Sequence, residues 1–80
     1  MIGIIGGGFG LYGWLPALCQ YYPNEKILIE ERHKEKFDGR PELQKYKDRI
    51  IWREFVKDIP YLVDILVLAI PPNQVEKYLG

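Results

Sequence analysis

The sequence predicts an α/β fold in which helices cover both faces of a parallel sheet of about four strands. Short apolar runs recur along the 80 residues, and the connections between them are long enough to hold helices. The last three runs lack a regular alternation of apolar and polar residues over their centres, which is typical of strands buried on both faces. The runs are residues 2–5, 26–30, 49–53 and 63–70, of which the last is the most apolar.

Each connection carries a signal for helical structure. Residues 8–22 have apolar side chains at helical spacing, and Pro16 lies early in this helix, where its missing N–H costs least. A second helix is predicted over residues 41–47, with a proline in its first turn. Residues 58–62 predict one short helical turn, and a capping-box pattern opens a last helix over residues 73–80.

Composition limits the classes of function. The chain has 11 basic and 11 acidic residues and no basic stripe, which excludes nucleic acid as a partner. Its single cysteine, Cys19, cannot form an internal disulfide, so we expect a cytoplasmic protein in which Cys19 is a buried apolar residue of the first helix. No apolar stretch reaches the roughly 18 residues that span a bilayer, so no membrane partner is expected.

A burst of glycines lies between the first strand and the first helix. The literal motif G-x-G-x-x-G starts at Gly8, but the register that starts at Gly6 places a glycine directly after the strand, where the tight turn is needed. In that register Leu11 replaces the third glycine, and Gly10 or Gly13 supplies the close approach between helix and strand. Gly6, Gly8, Gly10 and Leu11 are therefore predicted to hold a pyrophosphate on backbone groups. The alternative is a glycine-rich turn without a ligand.

Acidic residues at the end of the second strand favour a dinucleotide. Glu30 and Glu31 lie roughly 20 residues past the glycines, where an acid binds the adenosine ribose hydroxyls of NAD. Strand alternation points only one of the two at the ribose. Arg32 is either an ordinary exposed arginine or a partner for the 2′-phosphate of NADP. An acid at this position repels that phosphate, so NAD is the preferred cofactor and NADP the alternative.

The loop after the fourth strand contains Ile70, Pro71 and Pro72. Ligands of open α/β sheets bind beyond the carboxyl ends of the strands, so this loop is predicted to border the nicotinamide half of the cofactor. Alternatively, the prolines only end the strand and open a helix. Phe9 either flanks the cofactor or packs in the protein. No catalytic residue and no metal ligand is predicted, since His33 is expected at the surface and the chain has no serine.

Two segments resemble the N-terminal, dinucleotide-binding part of the glucose–fructose oxidoreductase/inositol dehydrogenase family, often called Gfo/Idh/MocA. They are residues 4–18, IIGGGFGLYGWLPAL, and residues 63–72, VDILVLAIPP. The sequence departs from the family at Trp14 and Val75, where members often have histidine. The resemblance implies a partial Rossmann fold with strand order 3-2-1-4, an NAD(P) cofactor, and Glu31 as the acid that binds the ribose.

The resemblance also implies an oxidoreductase that transfers hydride between the cofactor and a sugar, a polyol or a related small-molecule substrate. The family's catalytic lysine follows a fifth strand, which is not present here. Residues 1–80 are therefore expected to be the inactive N-terminal part of a longer enzyme, whose other domain binds the substrate. A homo-oligomer is expected because the fourth strand forms a sheet edge. The alternatives are a non-catalytic NAD(H)-sensing regulatory module and a methyltransferase, which usually carries an acid just before its glycines.

Overall fold

The predicted α/β fold with a parallel sheet is confirmed. The computed structural model describes residues 1–8, 10–54 and 56–74. Its strands are β1 (Ile2–Ile5), β2 (Ile27–Glu30), β3 (Ile50–Arg53) and β4 (Ile65–Leu68). They pair in parallel in the order β3-β2-β1-β4, which is the 3-2-1-4 order expected of a partial Rossmann fold.

Helical segments of several kinds connect the strands. A π-helical turn, Gly10–Trp14, leads into helix α1, Leu15–Tyr21. The 3₁₀ turn Glu31–His33 leads into helix α2, Lys34–Asp38. The helix predicted over residues 73–80 lies mostly outside the described residues. The other segments are the 3₁₀ helices Pro41–Arg49, Val56–Asp58 and Pro72–Gln74, and helix α3, Ile59–Leu62.

The helix predicted over residues 41–47 is present as the 3₁₀ helix Pro41–Arg49. Its two apolar anchors lie on the same side. Leu43 and Tyr46 are three residues apart, and a helix with three residues per turn places such a pair on one side. Leu43 is buried in the core and Tyr46 packs against it, so the tighter helix buries both anchors together.

The two faces of β1 are covered by different helical layers, as predicted. Ile2 and Ile4 face α1 and belong to the main core cluster. On the other face, a Cβ atom on Gly3 would lie 2.6 Å from Cγ2 of Ile59, so α3 packs directly on the strand backbone. The predicted burial of Cys19 is confirmed, and burial raises the pKa of its thiol. The buried members of the main cluster are Ile2, Ile4, Leu11, Leu15, Leu18, Cys19, Ile27, Ile29, Phe37 and Leu43.

Arg49 joins three parts of the fold at the amino end of the sheet. Its guanidinium group donates hydrogen bonds to the backbone carbonyls of Cys19, Tyr22 and Glu25. These carbonyls belong to the last turns of α1 and to the loop before β2, while Arg49 directly precedes β3. One side chain therefore satisfies the backbone acceptors where the first helix ends and the second strand approaches.

Two surface features concern the predicted partners. Within the described residues, β4 pairs with β1 alone and is the outer strand of the sheet, and Ile65 at its start is 38% exposed. The homo-oligomer expected at this edge stays a prediction. In the part of the chain that the structure describes, none of the helices has the length and apolar character needed to cross a membrane.

Candidate functional site

The sheet has its topological switch point between β1 and β4. The chain moves outward from β1 through β2 to β3 and then crosses back to place β4 on the other side of β1. The glycine turn that follows β1 therefore meets the loop that follows β4 at the carboxyl edge of the sheet. The Ala69 N–H donates a 2.8 Å hydrogen bond to the carbonyl of Ile5, which fixes this meeting point. Ligands of open α/β sheets bind at such a crevice.

The tight turn begins at Gly6, in the register that the sequence favours. Gly6 has a φ of +120°, a conformation that residues with side chains rarely adopt. A Cβ atom on Gly6 would lie 2.2 Å from the carbonyl oxygen of Ala69, so the two backbones approach too closely for any side chain. This glycine makes the turn and also allows β1 and the loop after β4 to come together.

Gly10 takes the role of the missing third glycine. A Cβ atom on Gly10 would lie 2.8 Å from Cγ2 of Ile4, whereas the corresponding position on Gly13 has open space around it. Gly10, and not Gly13, therefore provides the close approach between the first helix and β1. The side chain of Leu11 is fully buried and its N–H donates to the Gly7 carbonyl at 3.3 Å, so this residue serves packing and the turn itself.

Gly8 is the exposed member of the turn. It lies at the surface, and a Cβ atom built on it would have no other atom within 4 Å. The protein itself therefore has no steric need for glycine here, unlike at Gly6 and Gly10. A ligand that approaches the backbone closely would supply that need. Phe9, the other candidate in this stretch, lies outside the described residues.

The structure brings Glu30 to the turn and leaves Glu31 outside it. Glu30 is 1% exposed, and its Oε1 accepts a 3.1 Å hydrogen bond from the Gly6 N–H. Its Oε2 lies 2.6 Å from Nε of Arg32. Glu31 is exposed in the 3₁₀ turn after β2, although the family resemblance aligns it with the ribose-binding acid. Glu31 lies beyond the end of β2, so the 3₁₀ turn and not strand alternation separates the two carboxylates, and which of them binds a ribose stays a prediction.

His33 is buried, and the expectation of a surface histidine is wrong. The residue is 9% exposed, and its Nδ1 lies 2.6 Å from where a Cβ atom of Gly7 would be. The 3₁₀ turn after β2 folds the chain back, so His33 returns three residues later to the side of Glu30. Its Nε2 lies 3.6 Å from Oε1 of Glu30, beyond hydrogen-bond length, and has no hydrogen-bond partner among the described residues.

The buried imidazole has a lowered pKa. Burial is the main cause, the Glu30 carboxylate opposes the shift, and the positive charges of Arg32 and Lys36 add to it. Gly7 and His33 were both missed as site residues by reasoning from the sequence. The available signal was the spacing of three residues between His33 and the strand-terminal acid, together with a glycine in the middle of the turn.

Acidification is expected to destabilise the protein through His33. Because the folded-state pKa lies below the unfolded value of about 6.5, the unfolded chain binds more protons as the pH falls through this range. Stability is therefore highest above about pH 7 and declines as the pH falls through the folded-state pKa. Urea unfolding of the wild type and His33→Gln between about pH 8 and pH 5.5 measures this. Parallel pH profiles for the two proteins would contradict it.

A cleft of about 310 Å³ opens between the start of the first helix and the loop after β4. It is lined by Trp14, Ala69, Ile70 and Pro71, so two of the predicted loop residues do border the turn region. Pro72 starts the following 3₁₀ turn. Among the described residues, the cleft walls carry no titratable side chain, which suits a flat, weakly polar group.

No family model, curated protein or solved structure matches this chain. Its candidate function therefore depends on the geometry of the turn and the residues around it. No group of histidine, cysteine and carboxylate side chains among the described residues is arranged to hold a metal ion. The arrangement can bind an anion or a dinucleotide at the turn, and it orients that turn through Glu30 and His33.

Proposed function

We propose that this chain is the NAD(P)-binding part of an oxidoreductase that transfers hydride between a nicotinamide cofactor and a sugar, a polyol or a related compound. The observation that carries the binding proposal is the glycine turn at the β1–β4 switch point, hydrogen-bonded to the acid that ends β2. The class of reaction and of substrate comes from the resemblance to the Gfo/Idh/MocA family. A cytoplasmic location is part of the same proposal and is supported by the single unpaired cysteine.

The residues of the turn fit a pyrophosphate. Gly8 offers exposed backbone with open space where a side chain would stand, which is the cradle that a closely approaching phosphate requires. Glu30 holds the Gly6 N–H and thereby fixes the start of the turn. The apolar cleft beside Trp14, Ile70 and Pro71 suits the nicotinamide half. When bound, the cofactor supplies or accepts the hydride, while these residues position it and exclude water.

The charge beside the turn favours NAD over NADP. Glu30 places a carboxylate next to Gly6, and a ribose 2′-phosphate in its neighbourhood would be repelled. Arg32 lies within 2.6 Å of the same carboxylate and offsets part of this charge, so NADP is the second cofactor in the proposal. Glu31, exposed in the next turn, is the alternative ribose ligand.

Substitution of Gly8 should separate cofactor binding from folding. Because a Cβ atom on Gly8 meets nothing within 4 Å, Gly8→Val is expected to fold. We expect its affinity for NAD⁺ to fall by about tenfold or more, since the side chain would occupy the space that the pyrophosphate needs. Isothermal titration calorimetry of wild type and variant with NAD⁺, NADH and NADP⁺ measures the loss.

Gly13→Val is the matched control for this experiment. Gly13 also has open space around its Cβ position and lies in the same helical stretch, past the turn. Its affinity for NAD⁺ should stay within about twofold of the wild type. Equal affinities in the wild type and Gly8→Val would remove the pyrophosphate from this turn, and no binding to the wild type would remove the proposed function.

A non-catalytic NAD(H)-sensing module is the second candidate. The observation that favours it is the lining of the cleft by Trp14, Ala69, Ile70 and Pro71, which, within the part of the chain that the structure describes, brings no acidic or basic side chain. The oxidoreductase needs a catalytic group from outside the described residues. If this chain belongs to a longer protein, a Glu-Lys-Pro sequence after a fifth strand would favour the enzyme over the sensor.

A further inference from the structure

The glycine turn rests on a buried imidazole. His33 touches Gly7, the middle residue of the turn, so closely that any side chain on Gly7 would overlap the ring. The ring is 9% exposed and its Nε2 lacks a hydrogen-bond partner within the described part of the chain. A buried polar nitrogen without a partner costs free energy; the nitrogen concerned, Nε2, faces Oε1 of Glu30, while Nδ1 is the one that lies beneath Gly7.

Three charged side chains among the described residues act on His33. Glu30 of β2 faces it at 3.6 Å, Arg32 lies in the same 3₁₀ turn, and Lys36 lies on α2. The turn itself, residues 6–8, consists of glycines and brings no side-chain charge. Because Glu30 is already engaged by the Gly6 N–H and by Arg32, its carboxylate is only partly available to a protonated imidazole.

We propose that His33 is an anion-binding group of this site in addition to the backbone of the glycine turn. It takes up a proton when a phosphate-bearing ligand binds to that turn. In the protein alone the imidazole is neutral at neutral pH. An anion on the exposed side of the turn adds a second negative charge to that of Glu30, and a proton from solvent then makes the imidazole a cation beneath Gly7. This inference rests on the proposed function, and it adds proton uptake and a pH dependence to it.

Thermodynamic linkage between proton binding and ligand binding fixes the direction in which pH changes the affinity. If the ligand raises the pKa of His33 by about one unit, affinity for the ligand is about tenfold higher well below the free-protein pKa than well above the bound-state pKa. Affinity therefore rises as the pH falls through the range between the two pKa values of His33, with and without ligand. This is opposite in sign to the effect of the same group on folding stability, which falls with acidification.

The experiment uses the fact that His33 is the only histidine of the chain. Its imidazole signals are titrated by NMR without ligand, with NAD⁺, and with inorganic pyrophosphate. We expect the pKa of His33 to rise by about one unit with either ligand. In parallel, calorimetry above and below the pKa values found by NMR should show tighter NAD⁺ binding at the lower pH in the wild type and no such change in His33→Gln.

Lys36→Gln is the matched control, because it removes a neighbouring positive charge from α2 and keeps His33 beneath the turn. It should retain the pH dependence of binding. If NAD⁺ binds but the His33 pKa is unchanged and His33→Gln keeps the wild-type pH profile, this inference is overturned and the proposed function stands. If neither ligand binds, both are overturned. A pKa that rises with pyrophosphate while NAD⁺ fails to bind supports the anion role and overturns the dinucleotide. If His33→Gln does not fold, the NMR titration of His33 in the wild type still tests the inference.

Discussion

Gly6→Ala is expected to abolish the native fold. The added Cβ atom would lie 2.2 Å from the carbonyl oxygen of Ala69 and 2.7 Å from its carbonyl carbon. Both are backbone atoms of a loop that is itself bonded to β1, so no flexible side chain can move aside. The φ of +120° adds conformational strain that alanine cannot relieve. Together these should cost more than about 4 kcal/mol, against a total stability of roughly 4–12 kcal/mol for a chain of this length.

Circular dichroism and urea unfolding of Gly6→Ala measure this effect. Gly13→Ala is the control, because the same atom is added where nothing lies within 4 Å. The control should keep or gain stability, by up to about 1 kcal/mol, since alanine is the better helix former. A cooperative, wild-type-like transition for Gly6→Ala would show that β1 and the loop after β4 do not meet as described.

Arg49→Met is expected to cost about 2–4 kcal/mol of unfolding free energy. Methionine keeps much of the apolar stem but removes the donor to the carbonyls of Cys19 and Glu25, and it leaves the Tyr22 carbonyl with the Glu25 N–H alone, at 3.3 Å. Nε and Nη2 of Arg49 lie 2.8 and 2.7 Å from the Glu25 carbonyl, and Nη1 lies 3.3 Å from that of Cys19. These bonds are partly buried, so water replaces them incompletely.

Lys26→Met provides the comparison for Arg49→Met. Lys26 donates one exposed 2.7 Å hydrogen bond to the carbonyl of Asp48, at the same end of the sheet. Its loss should cost less than about 1 kcal/mol, because solvent replaces an exposed bond. Urea unfolding of both variants and the wild type measures the difference. An Arg49→Met protein within about 0.5 kcal/mol of the wild type would show that the guanidinium does not hold these segments together.

The sequence correctly predicts the parts of the fold that depend on local patterns of residues. Apolar runs between helical connections define the four strands and their parallel pairing, while the order 3-2-1-4 is what the family resemblance implies. The position of Gly6 directly after β1 predicts the start of the turn, because only a glycine can follow the strand there. Which of Glu30 and Glu31 binds a ribose stays a prediction.

The parts that escape prediction depend on contacts between distant residues. Which of Gly10 and Gly13 approaches the sheet is decided by where Ile4 points, and the glycine pattern does not carry that information. His33 reads as a surface residue because its neighbours in sequence are charged, and only the fold brings Gly7 over it. Arg49 has no local signal at all, since its acceptors are 24 to 30 residues away.

The pairing of β1 has a consequence for how the protein is made. Strand β1 is synthesised before both of its neighbours, and its second side stays unpaired until Ile65 has been made. Contacts between residues far apart in the chain form slowly, because closing the long segment between them costs conformational entropy. Gly6 likewise meets Ala69 only after β4 is synthesised. The glycine turn is thus translated well before the loop that completes its surroundings, so a chain stalled before residue 69 holds the motif without the site.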